Sequence, residues 1–235
     1  MEHRIRAIAH IRSDLPEKFG VPRQAGVVEA LEATVVFEPE YRDPEALRGL
    51  EGFSHIWLIW PFSEALREDW SPTVRPPRLG GNTRMGVFAT RSPFRPNALG
   101  LSCVRLLAVE KDAALGPVLR VAGADLVDGT PIFDVKPYLP YADCKPEASG
   151  GFAPDTGQTL AVSFDPGVEE RIPENKRAAL RGVLANDPRP RYQHDPERVY
   201  KLLFAGLEIA FSVDGEALRV TGAEKQDPEK KRKKP

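Results

Sequence analysis

Six arginines (Arg75, Arg78, Arg84, Arg91, Arg95 and Arg105) fall within residues 70–109, a stretch that contains no Asp or Glu. A guanidinium group is planar, permanently charged and rich in fixed N–H donors, which suits bidentate contact with phosphate or carboxylate. The arginines alternate with turn-formers: Pro76-Pro77, Gly80-Gly81-Asn82, Ser92-Pro93 and Pro96-Asn97. A stiff backbone aims each side chain, so the pattern points to an anionic or nucleotide-like ligand. A solvated loop surface is the alternative, but the apolar run 85–89 between the charges argues against it.

Four other segments carry candidate chemistry. In 18–26 (KFGVPRQAG), Pro22 fixes the backbone while Arg23 and Gln24 present donors; an ordinary loop reads the same way. Segment 53–62 (FSHIWLIWPF) reads as a buried strand, with His55 a hydrogen-bonded core residue and Trp57 and Trp60 packing or interface groups. In 125–141, Asp125, Asp128 and Asp134 offer carboxylates to a cationic or hydroxyl-bearing ligand, although a tight turn alone explains Asp128-Gly129. Segment 187–192 (DPRPRY) combines cations with an aromatic; it can grip phosphate and stack a base, or simply end a helix.

The elements that must position these groups are mostly strands. Runs rich in β-branched and aromatic residues cover 4–11, 34–37, 54–61, 85–90, 99–109, 118–127 and 132–138, separated by Gly, Pro and Asn turns. Asp43-Pro44 opens one or two helical turns over 43–48. Many short strands at regular spacing imply a sandwich or barrel. Composition shifts to Pro, Gly, Ser and Asp over 142–157, where a boundary is expected. Beyond it, Asp165-Pro166 can start a helix, with Val168, Ile172, Leu180, Val183 and Leu184 on one face and Asn186-Asp187-Pro188 as its stop. A hairpin then turns at Asp214-Gly215. The expected organisation is a mainly β protein: an N-terminal β-barrel domain at 1–145, a small α+β C-terminal domain at 158–224 and a disordered basic tail at 225–235.

Composition excludes several classes. With 33 basic and 34 acidic residues the chain has no global pull toward nucleic acid or membrane. No run of about 18 apolar residues exists to span a bilayer, and the N-terminus lacks a signal pattern. Cys103 and Cys144 have no metal spacing and the four histidines are scattered, so no metal site and a reducing cytoplasm are expected. There is no strand–GxGxxG–helix unit, no GxxxxGK[ST] loop, no GxSxG elbow and no HExxH.

Taken together, KFGVPRQAG, RGLEGFSHIW, PTVRPPRLGGNTRMGVFATRSPFRPNALGLS, DLVDGTPIFDVKPYLPYAD and DPRPRY resemble the TsaA/TrmO family in content and order, from Lys18 to Tyr192. The resemblance implies an S-adenosylmethionine-dependent methyltransferase without a Rossmann sheet. Its acceptor would be N6 of N6-threonylcarbamoyladenosine in tRNA, just 3′ of the anticodon. It also implies a β-barrel N-terminal domain, a small C-terminal domain and a homodimer. Carried over by position, the cofactor site would involve Pro22, Arg23, Gln24, Ser63, Glu64, Arg91, Leu101, Asp128, Gly129, Thr130 and Pro131. Ser63-Glu64 stands where the family pattern has His followed by Lys or Gln; a backbone contact is compatible with that change.

The acceptor nitrogen is a poor nucleophile and must lose its proton. Arg91, Arg95, Asn97 and Asp128 are the catalytic candidates. Asp128 or Asp134 would take the proton, or the arginines would stabilise the anion, and the arginine surplus favours the second route. Arg189, Arg191, Tyr192 and the lysines of 230–234 are expected to contact the anticodon loop of the tRNA. A non-enzymatic RNA-binding module and a methyltransferase for another RNA acceptor are the rival readings.

Overall fold

The computed structural model describes residues 3–65, 69–153, 159–190, 193 and 195–226. In chain order the first sheet and its appendages use β1 (Ala9–Arg12), β2 (Glu32–Phe37), β3 (His55–Pro61), the short hairpin β4 (Thr73–Val74) and β5 (Met85–Gly86), β6 (Leu99–Asp112), β7 (Gly116–Ala122), β8 (Pro131–Ile132) and β9 (Asp134–Pro137). The seven-stranded sheet runs β8-β1-β2-β7-β6-β3-β9. Its two edge strands are consecutive pieces of one segment. Ile132 pairs with Ala9 of β1, Asp134 pairs with Ile59 of β3, and Phe133 N–H donates to the Ile59 carbonyl at 2.7 Å. Residues 131–137 therefore close the sheet into a barrel, which removes its exposed edges. Expected as one strand at 132–138, this segment splits because it must serve both edges.

Alternation fills the barrel. Ile56, Leu58 and Trp60 of β3 point inward, beside Val104 and Leu106 of β6, Leu119 and Val121 of β7, and Ile11, Val35 and Ile132. The long β6 hydrogen-bonds to both β3 and β7, and a register irregularity between Leu106 and Ala108 helps it curve. One expectation changes here. Residues 85–90 form only a two-residue strand, then a 3-10 turn at Val87–Ala89. The helical turn expected at 43–48 is a 3-10 turn over residues 44–47, with the Asp43 carboxylate accepting the Glu45 N–H at 3.0 Å.

After a single helical turn, α1 (Pro140–Asp143), the second sheet uses β10 (Ala161–Phe164), α2 (Glu174–Ala185), β11 (Tyr200–Phe204), β12 (Leu207–Asp214) and β13 (Ala217–Lys225), in the order β10-β13-β12-β11. α2 begins nine residues later than Asp165-Pro166 suggested, because Pro173 holds Ile172 extended and becomes the N-cap itself. It lays Ala179, Leu180, Val183 and Leu184 on the sheet. This second core is completed from the other end of the chain. Leu15, Val28 and Leu31 of the β1–β2 loop belong to it, and the Phe19 ring stacks on Phe211 with centroids 6.3 Å apart. Gly20 sits against Leu202 so closely that a Cβ would overlap that side chain, and its φ of 98° adds a second reason for glycine. Ala205 N–H donates to the Asp14 carbonyl at 2.8 Å and Lys176 pairs with Asp14 at 2.6 Å. Among the described residues no helix is long and apolar enough to cross a membrane.

Candidate active site

Four segments distant in sequence meet at one end of the barrel around a cavity of about 450 Å³. The β1–β2 loop brings Lys18, Pro22, Arg23 and Gln24; the end of β3 and the turn after it bring Trp60, Phe62, Ser63 and Glu64. The arginine segment brings Arg91, Pro93 and Arg95, the start of β6 brings Gly100 and Leu101, and the stretch after β7 brings Asp125, Val127 and Thr130. The size lies in the usual range for small-molecule and cofactor sites.

Trp60 and Gly100 face each other across the β3–β6 ladder. The indole lies flat against the Gly100 backbone, and a Cβ there would overlap the ring. Phe62 meets the indole edge-on, with centroids 4.5 Å apart. Trp60 Nε1–H donates to Ser102 Oγ at 2.9 Å, and Ser102 Oγ–H donates to Asp125 Oδ1 at 2.5 Å. This chain links the wall of the cavity to a carboxylate. Burial pushes the Asp125 carboxyl above the ordinary carboxylate range; hydrogen bonds from Ser102 and the backbone, and the Arg91 charge, pull the other way.

Cross-ties hold the segments together. Arg91 Nη1–H donates to Gln24 Oε1, and Lys18 Nζ donates to the Glu64 carbonyl. Arg95 Nη2–H donates to the Val87 carbonyl at 3.4 Å and the Thr90 carbonyl at 3.2 Å, so it clasps the 3-10 turn against the cavity wall.

Of the residues expected at the site, Pro22, Arg23, Gln24, Ser63, Glu64, Arg91, Arg95, Leu101 and Thr130 line the cavity. Asn97 is exposed and does not line it. Asp128, Gly129 and Pro131 do not line it, and the first two are exposed. The Asp128 carboxylate accepts the Ser13 N–H at 2.9 Å, Gly129 N–H donates to the Ile11 carbonyl at 2.8 Å, and Pro131 starts β8. The bond to Ser13 makes Asp128 an anchor for the turn. Asp134 does not line the cavity and makes an ion pair with Lys136 at 2.9 Å.

Only Arg91 and Arg95 of the six arginines line the cavity. Arg84 bonds Thr73 across the hairpin at 3.0 Å, and Arg105 is exposed on β6 opposite His55. Arg189 is 7% exposed and held bidentately by Asp187 at 2.8 and 3.0 Å. It makes a structural ion pair instead of facing solvent. Arg191, Tyr192 and the lysines of 230–234 lie outside the described residues. Sequence reasoning missed Lys18, Trp60, Phe62 and Gly100 as lining groups; pairing of β3 with β6 is what brings the last three together, and no local signal announces it. No group of His, Cys, Asp and Glu able to hold a metal ion occurs among the described residues.

Two family descriptions match the chain: "tRNA-methyltransferase O N-terminal domain" over residues 10–144 and "TrmO C-terminal domain" over residues 157–226. The chain belongs to the TrmO family. It is 46% identical over 199 residues to the tRNA (adenine(37)-N6)-methyltransferase of Escherichia coli (strain K12), covering 81% of this chain and 83% of that one. It is 47% identical over 163 residues to the protein of the same name from Eikenella corrodens, covering 69% and 92%. A crystal structure of TrmO from Pseudomonas aeruginosa superposes with a TM-score of 0.79 at 33% identity, covering 95% of this chain and 98% of that one. The cavity is built from segments inside the first matched region, apart from the second core that braces its loop.

Proposed function

We propose that this chain binds S-adenosylmethionine in the cavity and transfers its methyl group to N6 of adenosine 37 in tRNA, with N6-threonylcarbamoyladenosine as the acceptor nucleoside. One observation carries the reading: the segments shared with the TrmO family converge on a single cavity of nucleoside size. The lining fits the donor. Arg23 and Arg91 supply positive charge for its carboxylate, Asp125 accepts from its amino or hydroxyl hydrogens, and Trp60, Phe62 and Leu101 offer apolar surface to the adenine. When bound, the donor supplies an electrophilic methyl on a sulfonium. The protein's part is then alignment and the handling of one proton.

Arg91 is exposed at the mouth, joined to Gln24, and is the cation best sited to stabilise a deprotonated acceptor nitrogen. Arg95 has its Nη2 engaged by two carbonyls and acts by holding the turn. Both cysteines are free thiols, which suits a reducing cytoplasm. β6 leaves Leu107 exposed beyond the cavity, in line with Leu99 and Leu101, which are exposed at the cavity itself. Such a stripe on a sheet face suits a homodimer interface.

The deciding experiment is nucleoside mass spectrometry on tRNA carrying N6-threonylcarbamoyladenosine, after incubation with the protein and S-adenosylmethionine. The expected result is a gain of one methyl on that nucleoside and none on unmodified adenosine. Donor binding without methyl gain moves the search to other acceptors, and absence of donor binding leaves a non-enzymatic RNA-binding module as the better account.

A further inference from the structure

Beside the cavity stands a pair of aromatic rings that donor binding does not use. Trp70 is 49% exposed and Phe88 is 74% exposed, and their rings lie 6.2 Å apart at an interplanar angle of 24°. Two large aromatics held nearly parallel and open to water are costly to leave uncovered. Their backbone is pinned. Val87, next to Phe88, is buried, its N–H donates to the Pro72 carbonyl at 3.0 Å, and its carbonyl accepts from Thr90 Oγ1 at 2.8 Å. The β4–β5 pairing Thr73↔Gly86 fixes the approach to the turn, and Ser71 N–H bonds the Phe94 carbonyl at 3.4 Å. Phe88 is thus displayed by an ordered turn.

Two further observations choose the occupant. The rings begin and punctuate the acid-free stretch that starts right after Asp69, in which Arg75, Arg84 and Arg91 are exposed. The turn also adjoins the reaction cavity through Arg95, which lines the cavity and grips the Val87 and Thr90 carbonyls. Exposed parallel aromatics among cations, next to a pocket for one nucleoside, match how unpaired bases are held: stacking on rings with phosphates neutralised nearby.

We propose that Trp70 and Phe88 form a stacking platform for an unpaired nucleobase flanking the target nucleoside in the single-stranded loop of the RNA substrate. The proposal rests on the RNA methyltransferase reading above and adds the surface that receives the loop.

The test is the affinity of labelled anticodon stem-loop RNA, by fluorescence anisotropy, for the wild type and for Phe88→Ala, Phe88→Leu and Phe88→Trp, with donor affinity measured by calorimetry on each. Stacking predicts that Phe88→Ala and Phe88→Leu weaken RNA binding about tenfold, that Phe88→Trp retains it, and that donor affinity is unchanged in all three. Trp70→Ala should behave as Phe88→Ala does. Equal RNA affinity for Phe88→Ala and wild type overturns the platform, as does wild-type RNA affinity of Phe88→Leu, which would make the contact merely apolar. A wild type that binds RNA in a Phe88-dependent way but transfers no methyl supports the platform and overturns the enzyme reading. A wild type that methylates while indifferent to Phe88 does the reverse.

Discussion

At the scale of single residues, Asp125 is the most informative group. It is a half-buried carboxylate lining the cavity, fed a hydrogen bond by Ser102, which in turn receives one from Trp60. Asp125→Asn keeps the shape and removes a charged acceptor, so donor affinity should fall about tenfold or more while tRNA affinity holds, measured by calorimetry. The same substitution has a pH signature. Because burial raises the folded-state pKa, ionised Asp125 opposes folding; its favourable contribution is present at low pH and is lost as pH rises from the ordinary carboxylate range through the raised value. Denaturant midpoints of wild type and Asp125→Asn should therefore diverge over that window, with the variant gaining. Gly100→Ala tests the neighbouring contact. Its methyl would displace the Trp60 ring, costing about 1–3 kcal/mol in denaturant unfolding and closing the donor site.

At the scale of elements, the β1–β2 loop is held by a core that is not its own sheet's. Leu15, Phe19, Val28 and Leu31 pack with β11, β12 and α2, while Pro22, Arg23 and Gln24 between them face the cavity. The C-terminal sheet therefore sets the position of one cavity wall. Leu202→Ala, fully buried and far along the sequence, should cost about 2–5 kcal/mol of stability and also weaken donor binding. If unfolding shifts but calorimetry at low temperature gives wild-type donor affinity, the loop is positioned by the barrel alone. The helix α2 shows how a local rule overrides a periodic one: Val168 and Ile172 are buried with the same core as expected, yet Pro173 excludes both from the helix.

At the scale of the whole molecule, net charge is −1 while the cations proposed to contact RNA belong to one acid-free stretch and to a tail outside the described residues. Binding to tRNA should weaken steeply with salt, and deleting 230–234 should raise the KM for tRNA, flatten that salt slope and leave single-turnover chemistry intact. An unchanged slope would remove the tail from the interface. Association through the outer face of β6 is testable by sedimentation: Leu107→Glu, exposed and away from the cavity lining, should give a monomer at concentrations where the wild type is a dimer.

Strand alternation and turn chemistry were enough, from sequence alone, to indicate a mainly β chain built as a sandwich or barrel, because side-chain period and turn residues are local properties; the barrel itself and the family came from the resemblance carried by five motifs. Pro22, Arg23, Gln24, Arg91 and Leu101, which line the cavity, are positions that the resemblance carries over, since their motifs are contiguous. Tertiary structure alone decided the rest. Asp128 became an anchor through Ser13, a contact between residues more than a hundred positions apart. Asp125 gained its perturbed proton affinity only from burial beside Ser102. Arg189 was taken from solvent by Asp187, and the loop carrying Arg23 was fixed by a core assembled from the far end of the chain. Burial, desolvation and pairing across strands depend on which distant residues meet, and no local pattern encodes that meeting.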